Sequence, residues 1–186
     1  MKKLLFTFAL TMLSTHVADA ASGFYAGVSA GQSNASGWCD GISRSCDDSD
    51  AGWKILWGYQ ATENLGVEVS FVNFGESTVA PISFSREASG FGVVGTGTLP
   101  VSERFGLLGK VGLFHWDAEF RGFFGELTGP LEQYGIGLTY GLGATVEVTG
   151  RVGIRVEWEQ FEDVGDSEFF EGEDLRLLSA GVLFSF

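Results

Sequence analysis

The chain has 186 residues, is 45% hydrophobic and carries a formal net charge of −13 at pH 7. This acidic balance argues against nucleic acid, or another polyanion, as a partner. After residue 20, no stretch approaches the roughly 20 apolar residues that a membrane-spanning helix needs, so a helical membrane protein is excluded.

The first segment is typical of a secretory signal. Two lysines precede an apolar run over residues 4–13, and ADA (18–20) supplies a cleavage site of the small-x-small type. We therefore predict a signal peptide over residues 1–20 and, from its length, a single mature domain over residues 21–186.

Two cysteines, Cys39 and Cys46, follow in the polar stretch GWCDGISRSCDDSD. An exported chain meets an oxidising compartment, which favours a disulfide over free thiols. Closing so short a loop contributes about 2.5 kcal/mol on the chain-entropy account. Asp47, Asp48 and Asp50 are weak candidates for oxygen-ligated Ca²⁺ or Mg²⁺, but a solvated acidic rim is the simpler interpretation, and we expect no metal or cofactor.

Apolar and polar residues alternate with period 2 along the mature chain, and convincing helical periodicity is absent. Eight strands are predicted, over residues 23–32, 52–61, 65–74, 89–99, 104–116, 132–146, 150–161 and 174–186. About ten residues at roughly 3.3 Å each, tilted by about 40°, span roughly 25 Å, the height of the apolar band of an outer membrane.

The connections between these strands alternate in length. Residues 62–64, 100–103 and 148–150 are tight turns. Long, acidic and Gly- and Ser-rich stretches cover residues 33–51, 75–88, 117–131 and 162–173. This pattern is typical of outer-membrane barrels, whose short turns face the periplasm. The predicted fold class is therefore all-β, an eight-stranded antiparallel up-and-down transmembrane β-barrel in the outer membrane of a Gram-negative bacterium.

The alternative is a secreted lipocalin-like barrel that binds a ligand, with the same faces inverted. Two observations favour the membrane barrel: Gly and Ser dominate the polar face, as in a narrow filled lumen, and the last strand, LLSAGVLFSF, closes on Phe186. Aromatic residues near strand ends also predict interfacial girdles. The predicted girdle residues are Phe24, Tyr59, Phe74, Phe105, Trp116, Trp158, Phe161, Phe184 and Phe186.

One histidine, His115, follows the predicted cleavage site. Some eight-stranded barrels hydrolyse lipid A with a membrane-embedded His, Ser and Glu, but FHWDAE (114–119) lacks the serine that follows the histidine by two residues in such enzymes. An interfacial histidine beside Trp116 is the simpler interpretation. We expect no catalysis, and keep a lipid A-modifying enzyme as an alternative.

Four stretches resemble OmpA-like eight-stranded outer-membrane barrels. They are GYQATENLGVEVSFVNFG (58–75), LPVSERFGLLGKVGLFHWDAE (99–119), GATVEVTGRVGIRVEWEQF (143–161) and LLSAGVLFSF (177–186). The resemblance spreads over nearly the whole mature chain. It implies the barrel domain alone, without the peptidoglycan-binding domain that OmpA carries.

The resemblance also implies a lumen plugged by paired charges. The matching inward positions are Glu68, Lys110 and Arg155, with Glu157 and Glu159 on the same strand face and Lys54 nearer the long loops. Buried ions must pair, so charges of opposite sign are expected to alternate. The sequence departs from the pattern at Thr145, where some relatives have an acidic residue.

The last strand of the family resembles the signal that the barrel-assembly machinery reads, which here assigns that role to Val182, Phe184 and Phe186. The partners implied are this machinery, periplasmic chaperones, outer-membrane lipids and lipopolysaccharide, with no nucleic acid, and the protein is expected to be a monomer. The predicted function is a structural or surface-interaction role in the bacterial envelope. A small porin-like channel and an adhesin-like surface protein are the alternatives.

Overall fold

The computed structural model describes residues 23–36, 46–47, 49–79, 84–121, 131–164 and 173–186. The strands in these ranges are β1 (Gly23–Ser36), β2 (Cys46–Asp47), β3 (Ser49–Gln60), β4 (Leu65–Val79), β5 (Phe84–Pro100), β6 (Phe105–Arg121), β7 (Leu131–Thr149), β8 (Val152–Val164) and β9 (Glu173–Ser185). Within the same ranges, no helix has the length and apolar character needed to cross a membrane.

The eight long strands close into an antiparallel barrel. Each long strand pairs with the long strands before and after it, and β1 pairs with β9 from Tyr25–Ser185 to Ser36–Asp174. The two-residue β2 pairs with the end of β4. Closure gives the backbone of every barrel strand a partner on both sides, as the apolar part of a membrane requires. The predicted eight-stranded up-and-down barrel is thus confirmed.

The two faces of the wall differ as a membrane barrel requires. On the outside, Trp57 is 64% exposed and Leu142 is 66% exposed, whereas Lys54 and Glu68 are each 1% exposed. A lipocalin-like barrel would reverse this arrangement. The inverted alternative is therefore wrong.

Three short turns lie at one end of the barrel, which we call the turn end, and they share one local design. In each turn the hydroxyl of a Ser or Thr accepts a hydrogen bond from the backbone N–H of the residue three positions later in the chain. Ser and Thr stabilise turns through such bonds. The pairs are Thr62 with Leu65 (3.0 Å), Ser102 with Phe105 (3.1 Å) and Thr149 with Val152 (3.1 Å). In all three cases the following strand begins with the residue that donates this N–H: β4 with Leu65, β6 with Phe105 and β8 with Val152.

The strands at the opposite end, the loop end, are longer than predicted. β4 and β5 together cover all of the expected loop 75–88 except residues 80–83. A register shift between Asn73 and Glu76 lets β4 continue, with Gly75 at a φ of +79° that suits glycine. The polar residues on these extensions made the stretch look like a loop, but its backbone pairing continues beyond the apolar band.

Candidate functional site

The interior of the barrel contains two layers. Nearer the turn end and the middle is a charged layer, formed by Lys54, Glu68, Lys110, Arg155, Glu157 and Glu159. Nearer the loop end is an aromatic layer, formed by Phe74, Phe114, Trp116 and Phe161 with smaller apolar side chains around them. Both layers are made of residues that alternate with the outward ones on the same strands.

One half of the charged layer joins β8 to β3 and β6. Because Glu157 and Glu159 are two positions apart on β8, both project inward. The carboxylate of Glu157 lies 2.5 Å from Nζ of Lys54 and 2.5 Å from Nζ of Lys110. Glu159 also contacts both lysines, at 2.8 Å from Lys110 Nζ. The two lysines therefore share both carboxylates.

The other half of the charged layer centres on Glu68 of β4. Nη1 of Arg155 donates to Oε1 of Glu68 at 2.5 Å, and the Tyr25 hydroxyl donates to the same oxygen at 2.7 Å. Lys110 lies 3.7 Å from the second oxygen of Glu68 and so connects the two halves. The Arg155 guanidinium also lies 5.6 Å from the Tyr25 ring centroid, within cation–π range.

Tyr25 was not among the residues predicted from the sequence for the charged layer. Tyr25 alternates with outward Phe24 and Ala26 and therefore faces the lumen. The signal that identifies it is its partner in β3, Gly58. A Cβ on Gly58 would lie 2.1 Å from Cζ of Tyr25, so the glycine makes room for the ring. Inside a narrow barrel, a large inward side chain paired with a glycine on the next strand therefore indicates a lumen position.

Glycines of β7 make room for the charged layer in the same way. A Cβ on Gly141 would lie 3.0 Å from Cγ of Glu159, and a Cβ on Gly143 would lie 3.1 Å from Cγ of Glu157. The layer itself holds three cations and three carboxylates, so its formal charge is zero. Since an unpaired buried ion costs several kcal/mol, this balance stabilises the barrel only while every member is present.

The aromatic layer corrects part of the girdle prediction. Phe74, Phe114 and Phe161 pack edge to face, with ring centroids 4.7 to 5.8 Å apart. Trp116, also buried, covers Gly135, where a Cβ would lie 2.5 Å from Cζ2 of the indole. The prediction that Phe74, Trp116 and Phe161 lie in outer girdles was therefore wrong.

Parity explains the error. Phe74 lies an even number of positions after Glu68 on β4, and the same holds for Trp116 after Lys110 on β6 and for Phe161 after Arg155 on β8. Each pair must therefore share the inner face. Nearness to a strand end is a weaker signal than this alternation.

The other predicted girdle residues do lie on the outer surface. They are Phe24, Tyr59, Phe105, Trp158, Phe184 and Phe186. A second aromatic row, nearer the loop end, contains Trp53, Phe71 and Phe91. The ring centroids of Trp53 and Phe71 are 5.5 Å apart, and those of Phe71 and Phe91 are 4.9 Å apart. This row was not predicted.

The row continues to His115, which pairs with Phe91 in register. Its Nδ1 lies 2.9 Å from the carbonyl oxygen of Gly135, and its ring centroid lies 6.5 Å from that of Tyr134. This is an exposed interfacial position. Trp116, its neighbour in sequence, faces the opposite side of the wall.

The last strand places the predicted assembly residues on the outside. Val182 and Phe184 are partly exposed and Phe186 is 85% exposed. The N–H of Phe186 donates to the carbonyl oxygen of Phe24 at 2.9 Å. Leu183, between these outward residues, faces inward and is buried in a cluster with Tyr25 and Leu56.

The remaining predicted sites fall largely outside the described residues. This applies to Cys39, to Asp48, to the side chains of Cys46 and Asp47 and to the signal peptide, so these remain predictions. Asp50 is described, and its Oδ1 accepts the N–H of Ala51 at 2.7 Å. Among the described side chains, no group of three or more His, Cys, Asp or Glu is arranged to hold a metal ion.

The lumen is open toward the turn end. A cavity of about 490 Å³ lies there, with Arg155 and Tyr25 among its lining residues and Thr145, Glu147 and Glu63 also on its wall. From the turn end, the accessible interior thus reaches the edge of the charged layer.

A closed, even-stranded barrel with an apolar outer band and a charged lumen defines an integral outer-membrane protein. Residues 5–186 match the family described as outer membrane protein beta-barrel domain. The chain belongs to this family and, with it, to the outer membrane. No match was found among curated protein sequences.

Solved structures share the fold. Neisserial surface protein A has a TM-score of 0.68 and 20% identity, over 90% of this chain and 100% of that one. Ail of Yersinia pestis, in complex with the heparin analogue sucrose octasulfate, has a TM-score of 0.58 and 16% identity over 89% and 99%. OprG of Pseudomonas aeruginosa has a TM-score of 0.59 and 12% identity over 89% and 96%.

Proposed function

We propose that this protein is a non-catalytic membrane anchor, whose closed barrel presents its loop end to partners outside the cell. The observation that carries this proposal is the filling of the lumen. The charged layer engages its three carboxylates in ion pairs, and the aromatic layer lies between that layer and the loop end. Function is then expected at the outer rim.

A porin-like conductance needs a continuous aqueous path, and the packed aromatic layer argues against one. Planar-bilayer recordings of the refolded full chain test this point. We expect no current steps beyond those of protein-free bilayers. Reproducible steps would favour the channel instead.

The chemistry of the rim suggests which partner the surface suits. Two glutamates stand in paired positions on neighbouring strands near the loop end, since Glu87 of β5 pairs with Glu119 of β6. Asp117, two positions nearer the turn end on β6, has the same parity as Glu119 and is exposed. Together with the net charge of −13, these acidic residues favour a cationic surface or peptide.

Ail was solved with an anionic heparin analogue, and the acidic rim of this chain argues against the same ligand class. The test uses vesicles containing the refolded protein, applied to polylysine-coated and heparin-coated beads, with protein-free vesicles as the blank. We expect binding to polylysine that weakens with added salt, and none to heparin.

A matched pair of variants locates the effect. The double substitution Glu87→Gln with Asp117→Asn should reduce polylysine binding. Glu63→Gln with Glu103→Gln removes the same charge at the turn end and should not. Equal binding by both variants would reject the loop end as the docking surface.

The remaining expected partners stay part of the proposal. They are outer-membrane lipids and lipopolysaccharide around the apolar band, and periplasmic chaperones and the barrel-assembly machinery during biogenesis. The protein is proposed to act as a monomer.

A further inference from the structure

An apolar groove interrupts the lipid-facing surface of the barrel from β4 to β8. Its volume is about 720 Å³, which falls within the roughly 300–1,000 Å³ range of small-molecule sites. The floor includes the outward glycines Gly95 and Gly97 on β5 and Gly109 on β6, and the neighbouring inward residues Thr96 and Lys110 also line the groove. The walls include Leu65, Val111, Tyr140, Leu142 and Trp158.

Packing within the barrel does not require glycine on this floor. A Cβ added to Gly95, Gly97 or Gly109 would meet its nearest atom at 3.9 to 4.0 Å, which is ordinary contact. Inward Gly112 differs, because a Cβ there would lie 2.1 Å from the carbonyl oxygen of Val93. Glycine weakens a strand, so the three outward glycines carry a cost that the fold itself does not explain.

The position of the groove identifies the medium that fills it. Leu65, at one end, directly follows a short turn, whereas Trp158, at the other, is the seventh of the 13 residues of β8. Since short turns face the periplasm, the groove extends from the periplasmic edge of the apolar band to about its middle. It is continuous with the exposed apolar surface formed by Val67 and Val93 beside it.

We propose that this groove binds one acyl chain of a phospholipid in the periplasmic leaflet. The continuity with the lipid-facing surface places an acyl chain at its mouth already. A flexible chain can lie along the bare backbone of the floor and contact Leu142 and Trp158 on the wall, which gives dispersion contacts on more sides than a flat surface offers.

A second copy of the protein fits the groove less well. A two-fold dimer would place the same concave surface against itself. Two facing concavities enclose empty space and lose the contacts that stabilise an interface. The single acyl chain is therefore the better occupant.

The test compares three forms of the full chain refolded in phosphatidylethanolamine nanodiscs, then transferred to detergent for native mass spectrometry. Gly97→Leu with Gly109→Leu fills the groove, and Ala180→Leu adds the same kind of side chain to the lipid-facing surface of β9. We expect the native protein and Ala180→Leu to retain one phosphatidylethanolamine. The groove-filled variant should bind it about tenfold more weakly, a change of about 1.4 kcal/mol.

Equal retention by all three forms would overturn the proposal. So would a dimer of the native protein that the groove-filled variant abolishes, because the occupant would then be a second copy. Unboiled samples on denaturing gels verify that each variant is folded. If the leucine pair does not fold, Gly97→Ala with Gly109→Ala decides: weaker retention supports the groove, and unchanged retention rejects it.

This inference rests on the location of the barrel in the outer membrane and not on the proposed surface role. The bead-binding and lipid-retention experiments use different regions of the outer surface, one at the loop end and one near the turn end, so either can fail alone.

Discussion

The two interior layers fill the same barrel by opposite means. The charged layer relies on contacts with fixed partners, such as Arg155 with Glu68, and loses its balance when one member is removed. The aromatic layer relies on shape, and its rings contact each other without a charge to compensate. A narrow lumen can thus be closed by ion pairing or by packing, and the two layers should respond differently to substitution.

Reversing one charge should break the first layer most severely. Arg155→Glu places a third carboxylate beside Glu68 and Glu157 and removes one of the cations that contact them. We expect the free energy of unfolding to fall by about 5 kcal/mol, measured as a lower urea midpoint. Arg151→Glu, at an exposed turn, is the control and should change little. An unchanged midpoint for Arg155→Glu would show that the network does not stabilise the barrel.

Truncating a ring should weaken the second layer somewhat less. Phe114→Ala removes edge-to-face contacts with Phe74 and Phe161 and leaves a cavity, at a cost of about 3 kcal/mol. The control is Phe91→Ala on the lipid-facing side of β5. A loss no larger than that of the control in urea unfolding would mean that the inner rings do not pack as a unit.

A subtler change separates hydrogen bonding from packing within the charged layer. Tyr25→Phe keeps the ring under Arg155 but removes the hydroxyl that donates to Glu68. Hydrogen bonds to charged groups contribute about 1.5–3 kcal/mol, so we expect a loss near the lower value. Tyr59→Phe, on the outer surface, should change the urea midpoint by much less, and equal effects would contradict the assignment of Tyr25 to the layer.

Deleting Phe186 should have the smallest effect on stability, because this side chain is largely exposed and one backbone hydrogen bond holds it. Its predicted effect is on assembly in the cell. We expect less folded barrel in the outer membrane, as judged by heat-modifiable migration on gels, with a refolded midpoint near that of the native protein. Normal surface levels would show that the terminal phenylalanine is dispensable for assembly.

Much of this fold could be predicted because one rule, alternation, decides which side chains meet lipid. Lys54, Glu68 and Arg155 follow it without exception, and the structure places them together inside. The same rule, applied to Trp116, would have predicted the aromatic layer. The presence of aromatic residues near strand ends was the weaker signal, because the aromatic residues that face the lumen and those of a girdle are of the same types.

Other features of the structure could not be predicted from the alternation of apolar and polar residues. The continuation of β4 past Asn73 depends on the positive φ at Gly75, which resets the register. The groove depends on Gly95, Gly97 and Gly109 being neighbours across two strands, which only the strand register reveals. Sequence shows that these glycines are numerous, but not that they meet.

The shared design of the three turns has a consequence for connectivity. Gly23 and Phe186 lie side by side at the turn end, where a Cβ on Gly23 would be 3.3 Å from the oxygen of Phe186. In a chain that is made to begin at Gly23, a fourth turn of the TENL type would join these two residues into a ring, and any of the other hairpins would then serve as the opening. Such circular permutants would keep the barrel while moving the aromatic terminal segment into the chain interior, and so would separate what the folded wall requires from what the cell recognises.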